Sequence, residues 1–232
     1  MPVSFIWFDI GYTLLYMQRE LTYRQVLLEQ GFDIPVDRLE REFHVADKYF
    51  MREFPGVFGN SKHSPTPWFL GVLNYRLGVN GDLCAMAARW REFQQQTQPY
   101  WLPFDCVPGT LSELKRQGLR LGVISNWDSS AHSLLESHGL ARFFEHIVIS
   151  SEVGCEKPGE EIFRVALRKS GVPADQCLYV GDNYYDDALG SRQVGMPCLI
   201  VNRFSRLGIE EIEDQIFIRD VSQVLDYLKK LS

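Results

Sequence analysis

The sequence predicts an α/β fold, a doubly wound parallel sheet with a helical domain inserted after its first strand. Residues 3–8 form a short, almost continuously apolar run, which is typical of a strand buried on both faces of a parallel sheet. From about residue 108 onward, apolar runs alternate with segments of helical periodicity, which favours right-handed βαβ units. Residues 18–99, by contrast, show helical periodicity and no convincing strand.

The alternating part of the chain supplies the other strands and helices of the predicted core. Further strands are expected at 119–125, 146–150, 177–180 and 197–201. Helices are expected at 109–117, 130–137, 160–170, 185–194 and 221–231. Residues 1–16 and 100–232 are therefore assigned to the α/β core.

The inserted segment, residues 17–99, is predicted to be a helical domain. Its helices are expected at 21–30, 36–51, 67–77 and 81–95, and the turn-rich stretch 54–66 is expected to connect two of them. Since aromatic side chains dominate small cores, we expect most aromatic residues of the insert to form its own core and a few to line a pocket. They are Tyr49, Phe50, Phe54, Phe58, Trp68, Phe69, Tyr75, Trp90 and Phe93.

Composition and charge are those of a globular protein that binds small ligands. Hydrophobic residues make up 45% and charged residues 23% of the chain, which excludes the disordered, collagenous and membrane classes. The formal net charge of -6 disfavours a nucleic-acid partner, because phosphate neutralisation requires a basic face. The oligomeric state, monomer or homodimer, stays open.

The cysteines and the N-terminus predict a cytoplasmic protein without a membrane partner. The 5 cysteines are widely spaced and include no CxxC pair, so they indicate buried thiols rather than disulfides or a zinc site. The N-terminus has no basic segment or cleavage site of a secretory signal. No stretch approaches the ~18 apolar residues that a membrane span needs.

Polar residues follow four of the predicted strands, at or just beyond the point where each strand ends. In chain order they are Asp9, Gly11 and Thr13, then Ser125 and Asn126, then Lys157, then Asp182 and Asp187. Because ligands of open α/β sheets bind beyond the carboxyl ends of the strands, these residues are expected to converge. Taken singly, an aspartate after a strand is more often a turn or cap residue, Ser125 and Asn126 could equally cap the next helix, and exposed lysines are common. Their joint order is what indicates a functional site.

This set of residues, in this order, resembles the four motifs of the haloacid dehalogenase superfamily of hydrolases, and the helical insert resembles the C1 cap of its subfamily I. The resemblance implies that Asp9 is a nucleophile that forms an aspartyl-phosphate. It implies that Ser125 hydrogen-bonds the phosphoryl oxygens and that Lys157 neutralises charge shared by the phosphate and Asp9. Substrate binding is assigned by the same resemblance to Thr13, Asn126 and Gly11.

The resemblance also implies a magnesium site and a small phosphorylated metabolite as substrate. The ion would be held by the carboxylates of Asp9, Asp182 and Asp187 and by the backbone carbonyl of Gly11. Magnesium prefers oxygen ligands of this kind. It is needed because a dianionic phosphate approaching Asp9 would otherwise meet strong like-charge repulsion.

One position departs from the family's phosphatase pattern. A second aspartate usually stands two residues after the nucleophile, where it protonates the leaving group and then activates water, and this chain has Gly11 there. Losing a positioned general acid/base costs about 10²- to 10⁴-fold in rate. Three explanations stay open: substrates with good leaving groups such as acyl or aryl phosphates, an acid supplied by the cap, or ligand binding with little turnover.

Two other reactions of the family also stay open. 2-Haloacid dehalogenases lack an acid at the position of Gly11, need no metal, and hold the substrate carboxylate with a cap arginine, for which Arg38 or Arg41 is available. They lack the metal-binding acid that Asp182 supplies, so phosphate chemistry is favoured. Phosphonate-cleaving relatives use a cap lysine as a Schiff base. The lysines of the insert, Lys48 and Lys62, lie in no obviously desolvating context.

Overall fold

The computed structural model describes residues 3–58, 66–98 and 100–231, and the dominant feature of these residues is a parallel sheet. The strands are β1 Phe5–Phe8, β2 Leu15–Met17, β3 Trp101–Pro103, β4 Arg120–Ser125, β5 His146–Ile149, β6 Cys177–Gly181, β7 Cys198–Val201 and β8 Ile216–Ile218. Six of them form one sheet in the order β5-β4-β1-β6-β7-β8, with every pair parallel. The predicted α/β class is confirmed.

Strand β1 lies in the middle of this sheet, as its composition requires. All four of its residues have an exposed fraction of 0%, because β4 and β6 flank its edges and apolar side chains cover its faces. From β1 the chain adds β4 and β5 on one side, and then returns to add β6, β7 and β8 on the other. The direction therefore switches between β1 and β6, which is where open α/β sheets form a ligand-binding crevice.

The helices follow the predicted pattern with shifts of a few residues at their ends. They are α1 Arg19–Glu29, α2 Val36–Glu53, α3 Thr66–Leu77, α4 Leu83–Gln96, α5 Cys106–Arg116, α6 Ser130–Ser137, α7 Ser150–Val153, α8 Glu160–Ser170, α9 Leu189–Gln193 and α10 Gln223–Leu231. Sequence periodicity missed α7, β2, β3 and β8. Helix α7 has 4 residues and each of these strands has 3, too few to show a period.

The segment after β6 differs most from its prediction. A single helix was expected at 185–194, but Tyr184–Ala188 forms a π-helical turn and only then does α9 begin. The turn starts at Asn183, whose side-chain oxygen accepts from the backbone N–H groups of Tyr185 and Asp186. Such turns are frequent at functional sites.

The chain divides into two compact units. Residues Met1–Tyr16, Pro103–Arg206 and Glu210–Ser232 form the core unit, and Met17–Leu102 with Leu207–Ile209 forms the helical unit. Residues 100–102 and 207–209, assigned to the core from the sequence, thus lie in the helical unit. Hydrogen bonds to the helical unit hold both segments: Tyr100 O accepts from Gln18 N at 3.0 Å, and Leu207 O accepts from the His44 side chain, at Nε2, at 3.1 Å.

Helices α1 to α4 of the helical unit surround an aromatic core. Phe50, Phe69 and Trp90 belong to it, with Phe93 packed partly against it. The other aromatic residues named from the sequence are exposed, with exposed fractions from 36% to 87%: Tyr49, Phe54, Phe58, Trp68 and Tyr75. The prediction that most of these side chains form the insert's core is therefore wrong, because a helix end or an outward face can carry an aromatic residue that composition cannot distinguish from a core residue. Of the predicted loop 54–66, residues 59–65 lie outside the described residues.

Two smaller expectations concern cysteines and membranes. All five cysteines are free, as expected, but only Cys177 is buried, and Cys84 is exposed. The prediction of buried thiols was wrong for the other four, because spacing carries no information on burial. In the described parts of the chain, no helix combines the length and apolar character needed to cross a membrane.

Candidate active site

The candidate site begins where β1 and β6 end, at the switch point of the core unit. Asp9 follows β1 directly, and its backbone N–H donates to Val180 O of β6 at 2.9 Å. Asp182 follows β6 directly. Because the two strands are adjacent and parallel, the two acids are delivered to the same edge of the sheet.

Three carboxylates meet at this edge. Asp9, Asp182 and Asp187 each contribute an oxygen, and these oxygens lie within 4.8 Å of one another. Asp9 and Asp182 are 8% exposed, whereas Asp187 is fully buried. Clustered, largely buried carboxylates repel one another strongly, so they stay ionised together only when a cation lies beside them.

Lys157 supplies one such cation from within the chain. Its ammonium donates to Asp9 Oδ1 at 2.8 Å, to Asp187 Oδ1 at 2.6 Å and to the phenol oxygen of Tyr179 at 2.9 Å. Burial alone would lower the pKa of Lys157, but the carboxylates of Asp187 and Asp9 more than offset this and hold its pKa well above the usual value. Lys157 is therefore charged at neutral pH.

Burial raises the pKa of Asp9 above its ordinary value of 3.8, and the charge of Asp187 acts in the same direction. The ammonium of Lys157 and a hydrogen bond with the hydroxyl of Ser125 oppose this shift. Asp9 is thus a carboxylate whose charge depends on the cations around it, and further positive charge at the site would favour its ionised form.

Asp187 is fixed by Gly181 and Asn183. A Cβ at Gly181 would lie 2.1 Å from Asp187 Oδ2, closer than any allowed contact, so the carboxylate occupies space that only a glycine leaves open. The same oxygen accepts from Asn183 N at 2.9 Å, while Oδ1 accepts from Lys157. The π-helical turn of Tyr184–Ala188 thus places Asp187 at a defined point beneath the end of β6.

Ser125 and Asn126 reach the site from the end of β4. Ser125 is buried and contacts Asp9 as described above. The side-chain amide of Asn126 makes two hydrogen bonds with the backbone of Lys157: Oδ1 accepts from Lys157 N at 2.8 Å, and Nδ2 donates to Lys157 O at 2.9 Å. Asn126 therefore ties the lysine-bearing loop to β4. The sequence predicted a role in substrate binding for Asn126 and did not predict this contact.

Residues Gly11 to Thr13 form a tight turn beyond Asp9. Tyr12 has a φ of 52°, uncommon for a bulky residue, and its backbone N–H donates to Leu15 O at 2.7 Å. Gly11 forms a bridge with Leu15 and offers the site no titratable side chain. Thr13 is buried, and its hydroxyl finds no hydrogen-bond partner among the described residues. A buried hydroxyl of this kind is suited to a bound polar ligand.

No site role was assigned from the sequence to Tyr179 or Asp186. Tyr179 lies inside β6, where the sequence pattern is that of an ordinary core aromatic residue. The feature that could have identified it is its hydroxyl group, because a buried phenol needs a polar partner. Asp186 lies directly before Asp187 in the π-helical turn, where an acid is also typical of the start of a helix. Burial, and next the charge of Asp187, raise its pKa to about 7.

The donor set fits a hard divalent cation. Asp9, Asp182 and Asp187 provide oxygen ligands, the kind that magnesium prefers, while the ammonium of Lys157 offsets only part of their charge. The site has groups suited to binding and transferring a phosphoryl group: a carboxylate that could act as nucleophile, fixed cationic charge, and the hydroxyl groups of Ser125 and Thr13.

The cap residues considered for other reactions lie in the helical unit. Arg38 and Arg41 are exposed, and Arg38 donates to Leu77 O at 3.2 Å. Lys48 is buried, with Nζ 3.6 Å from Met51 Sδ, so the expectation of no desolvating context is wrong for this residue, because α2 turns it inward. Lys62 lies outside the described residues.

Comparison with known proteins gives a consistent picture. Residues 71–201 match the model of the family described as haloacid dehalogenase-like hydrolase. The chain is 36% identical over 231 residues to a glyceraldehyde 3-phosphate phosphatase of Methanothermobacter thermautotrophicus, covering 95% of this chain and 86% of that protein. It is 28% identical over 209 residues to human haloacid dehalogenase-like hydrolase domain-containing protein 3, covering 87% and 82% of the two chains.

Among solved structures, the chain is similar to the HAD-hydrolase YfnB of Bacillus subtilis, a protein described as bound to magnesium. The TM-score is 0.67 with 19% sequence identity, and the likeness covers 98% of this chain and 99% of that one. At this identity the likeness concerns the fold.

Proposed function

We propose that this chain, which belongs to the haloacid dehalogenase-like hydrolase family, is a magnesium-dependent hydrolase of small phosphate monoesters. The observation that carries the proposal is the shared ammonium of Lys157, which joins Asp9 to Asp187 within a cluster that also includes Asp182. This grouping supports the proposal, because a carboxylate suited to act as nucleophile, a fixed positive charge and oxygen atoms suited to bind a cation lie at one edge of the sheet.

The first step would be attack of the Asp9 carboxylate on phosphorus. A bond forms between Asp9 and phosphorus, the ester P–O bond breaks, and the leaving oxygen departs with the electron pair and takes up a proton. Water then attacks the aspartyl-phosphate, which releases inorganic phosphate, returns Asp9 to its carboxylate form and yields one proton to solvent. Covalent catalysis of this kind divides one difficult displacement into two easier ones.

Asp9, Asp182, Asp187 and the backbone carbonyl of Gly11 are the groups that would hold Mg²⁺. When bound, the ion supplies positive charge that screens the repulsion between a phosphate dianion and Asp9. Lys157 contributes fixed charge at the same place and keeps Asp9 oriented. Ser125 and Thr13 are the hydroxyl groups suited to hydrogen-bonding phosphoryl oxygens.

The glycine at position 11 narrows the proposed substrate class. Without an acid two residues after the nucleophile, the leaving oxygen must depart with less help, so esters with good leaving groups should react fastest. Acyl and aryl phosphates have such leaving groups. The relative from Methanothermobacter thermautotrophicus that is named a glyceraldehyde 3-phosphate phosphatase supports the monoester class as a whole.

The experiment is a hydrolysis assay with p-nitrophenyl phosphate, with magnesium and with excess chelator. We expect phosphate release that requires magnesium and disappears in Asp9→Asn. Asp175→Asn is the matched control, since this exposed aspartate lies just before β6, outside the carboxylate cluster. Retained activity in Asp9→Asn would contradict the proposal.

A second arm tests dehalogenation, which the glycine at position 11 keeps open. Release of chloride from 2-chloropropionate in the presence of excess chelator, without phosphate release in the first arm, would replace the proposed reaction by halide displacement. Stabilisation by phosphate and magnesium without turnover of any ester or haloacid would instead indicate a binding module.

A further inference from the structure

We propose that Tyr179 is a positioning residue, whose phenol holds the ammonium of Lys157 in its catalytic place while Asp9 and Asp187 change their partners. The proposal rests on the proposed function for its kinetic consequence. Its geometric basis is the hydrogen bond between Lys157 Nζ and the phenol oxygen of Tyr179, at 2.9 Å.

The direction of both hydrogen bonds of the phenol is fixed by chemistry. An ammonium can only donate, so the phenol oxygen accepts from Lys157. The phenol proton is then donated to Ile124 O, a backbone carbonyl of β4, at 2.9 Å. Tyr179 therefore links Lys157 to the backbone of a central strand, and both polar functions of its oxygen are in use.

All three N–H bonds of the Lys157 ammonium have acceptors, but the three acceptors differ in kind. Asp9 and Asp187 are carboxylates that the proposed reaction also engages, one as nucleophile and both as groups for a cation. Once Asp9 carries a phosphoryl group, its charge and hydrogen-bonding pattern change. The phenol is the one acceptor of the three that takes no part in the reaction, so it can hold Nζ through every step.

The phenol is itself held rigidly. Tyr179 has an exposed fraction of 0% and lies in β6, in register with Trp7 of β1. Its ring packs edge-on against Phe163 of α8, with the ring centroids 5.4 Å apart. Burial, and next the carboxylate of Asp187, raise the pKa of Tyr179 well above its ordinary value, so it remains a neutral phenol. Side chains locked in this way orient the groups they contact.

The direct test is Tyr179→Phe, which removes one oxygen atom and keeps the ring. Loss of a hydrogen bond to a charged group should lower kcat about 10- to 100-fold. KM for p-nitrophenyl phosphate should change less than about threefold, because the phenol is proposed to act through Lys157 and not to bind substrate. The matched control is Tyr23→Phe in the helical unit, where a buried phenol donates to Asn74 Oδ1 at 2.5 Å. An equal fall of kcat in the control would overturn the proposal.

A second readout does not depend on turnover. In protein labelled with ¹⁵N-lysine, the ammonium of Lys157 should give a slowly exchanging NMR signal that is absent in Lys157→Met. Tyr179→Phe should broaden or shift this signal, and Tyr23→Phe should leave it unchanged. If Tyr179→Phe folds and changes neither the signal nor kcat, the proposal is wrong.

Other outcomes separate this inference from the proposed function. If the wild-type protein hydrolyses no phosphate ester but its Lys157 signal responds to Tyr179→Phe, the proposed function fails and the positioning contact stands. If Tyr179→Phe does not fold, 3-fluorotyrosine at position 179 preserves the ring and oxygen while weakening the acceptor. A smaller fall in kcat with a shifted Lys157 signal would then support the proposal, and no change in either would reject it.

Discussion

Gly181 lies directly against the carboxylate of Asp187, and a Cβ at position 181 would be 2.1 Å from Oδ2. The fully buried carboxylate cannot retreat, because its oxygens are held by Lys157 and by the backbone N–H of Asn183. The glycine at the end of β6 is therefore required by the position of the acid that follows it in the π-helical turn.

Gly181→Ala should accordingly displace Asp187 and impair the site. We expect a fall in kcat of about 100-fold, since misplacement of a supporting group by ~1 Å has effects of that size. The free energy of unfolding should fall by about 1–3 kcal/mol through overpacking. Thermal denaturation and the p-nitrophenyl phosphate assay measure the two effects.

Gly109→Ala is the control for that substitution. Gly109 lies in α5, and an added Cβ would meet nothing within 4 Å. Alanine there should leave activity unchanged and raise stability by about 0.5–1 kcal/mol, because glycine inside a helix is unfavourable. A Gly181→Ala variant that behaved like Gly109→Ala would show that Asp187 is not held as described.

Lys157→Met should make stability depend on pH in a defined direction in metal-free buffer. Lys157 lowers the pKa of Asp9, which burial raises above 3.8, so the variant should have an Asp9 pKa that is raised further. A carboxyl group with a raised pKa in the folded state binds more protons when folded than when unfolded, and the free energy of unfolding therefore falls as pH rises from the unfolded pKa towards the folded one.

The free energy of unfolding of Lys157→Met should thus be only slightly below that of wild type near pH 4, and the difference should grow towards pH 8. There it should reach about 3–5 kcal/mol, the range found when one partner of a buried ion pair is removed. Urea unfolding at several pH values gives the measurement. If the difference in free energy of unfolding became smaller with rising pH, the ion pair assigned to Lys157 and Asp9 would be contradicted.

Asp182→Asn should maintain or raise stability in metal-free buffer and should reduce the stability gained from magnesium. Removing one of three clustered carboxylates relieves repulsion, so the metal-free variant should be at least as stable as wild type. Wild type should gain about 2.7 kcal/mol at a magnesium concentration of 100 times Kd, and the variant should gain much less at the same concentration. Thermal shift titrations of wild type, Asp182→Asn and Asp175→Asn separate a specific site from a general effect of charge.

Part of this site could be predicted from sequence because it follows the geometry of parallel sheets. Residues at the ends of adjacent strands must meet, which is why Asp9 and Asp182 could be paired from the apolar runs that precede them. Lys157 was found less directly, since it lies on a loop beyond β5, and its ammonium reaches Asp9 only because Asn126 ties the backbone of that loop to β4.

Other parts could not be predicted because their signals are ambiguous. Tyr179 occupies a buried strand position where an aromatic residue is ordinarily a core residue, and its role depends on two hydrogen bonds that connect separate strands and loops. The π-helical turn of Tyr184–Ala188 has too few residues for its period to be distinguished from that of an α-helix. Exposure of Trp68, at 69%, depends on which way α3 faces, which composition does not specify.

Gly11→Asp tests whether the missing acid limits the range of substrates. A carboxyl group there should protonate poor leaving groups, and kcat/KM for alkyl phosphates such as glycerol phosphate should rise, with about 10²- to 10⁴-fold as the range that a well-placed general acid contributes. The kcat/KM for p-nitrophenyl phosphate should change little, because it reports the attack on the ester and p-nitrophenolate leaves without protonation. Gly11→Asn has the same shape without an acidic proton, so an equal gain in both variants would mean that packing in the turn, and not proton transfer, had limited the reaction.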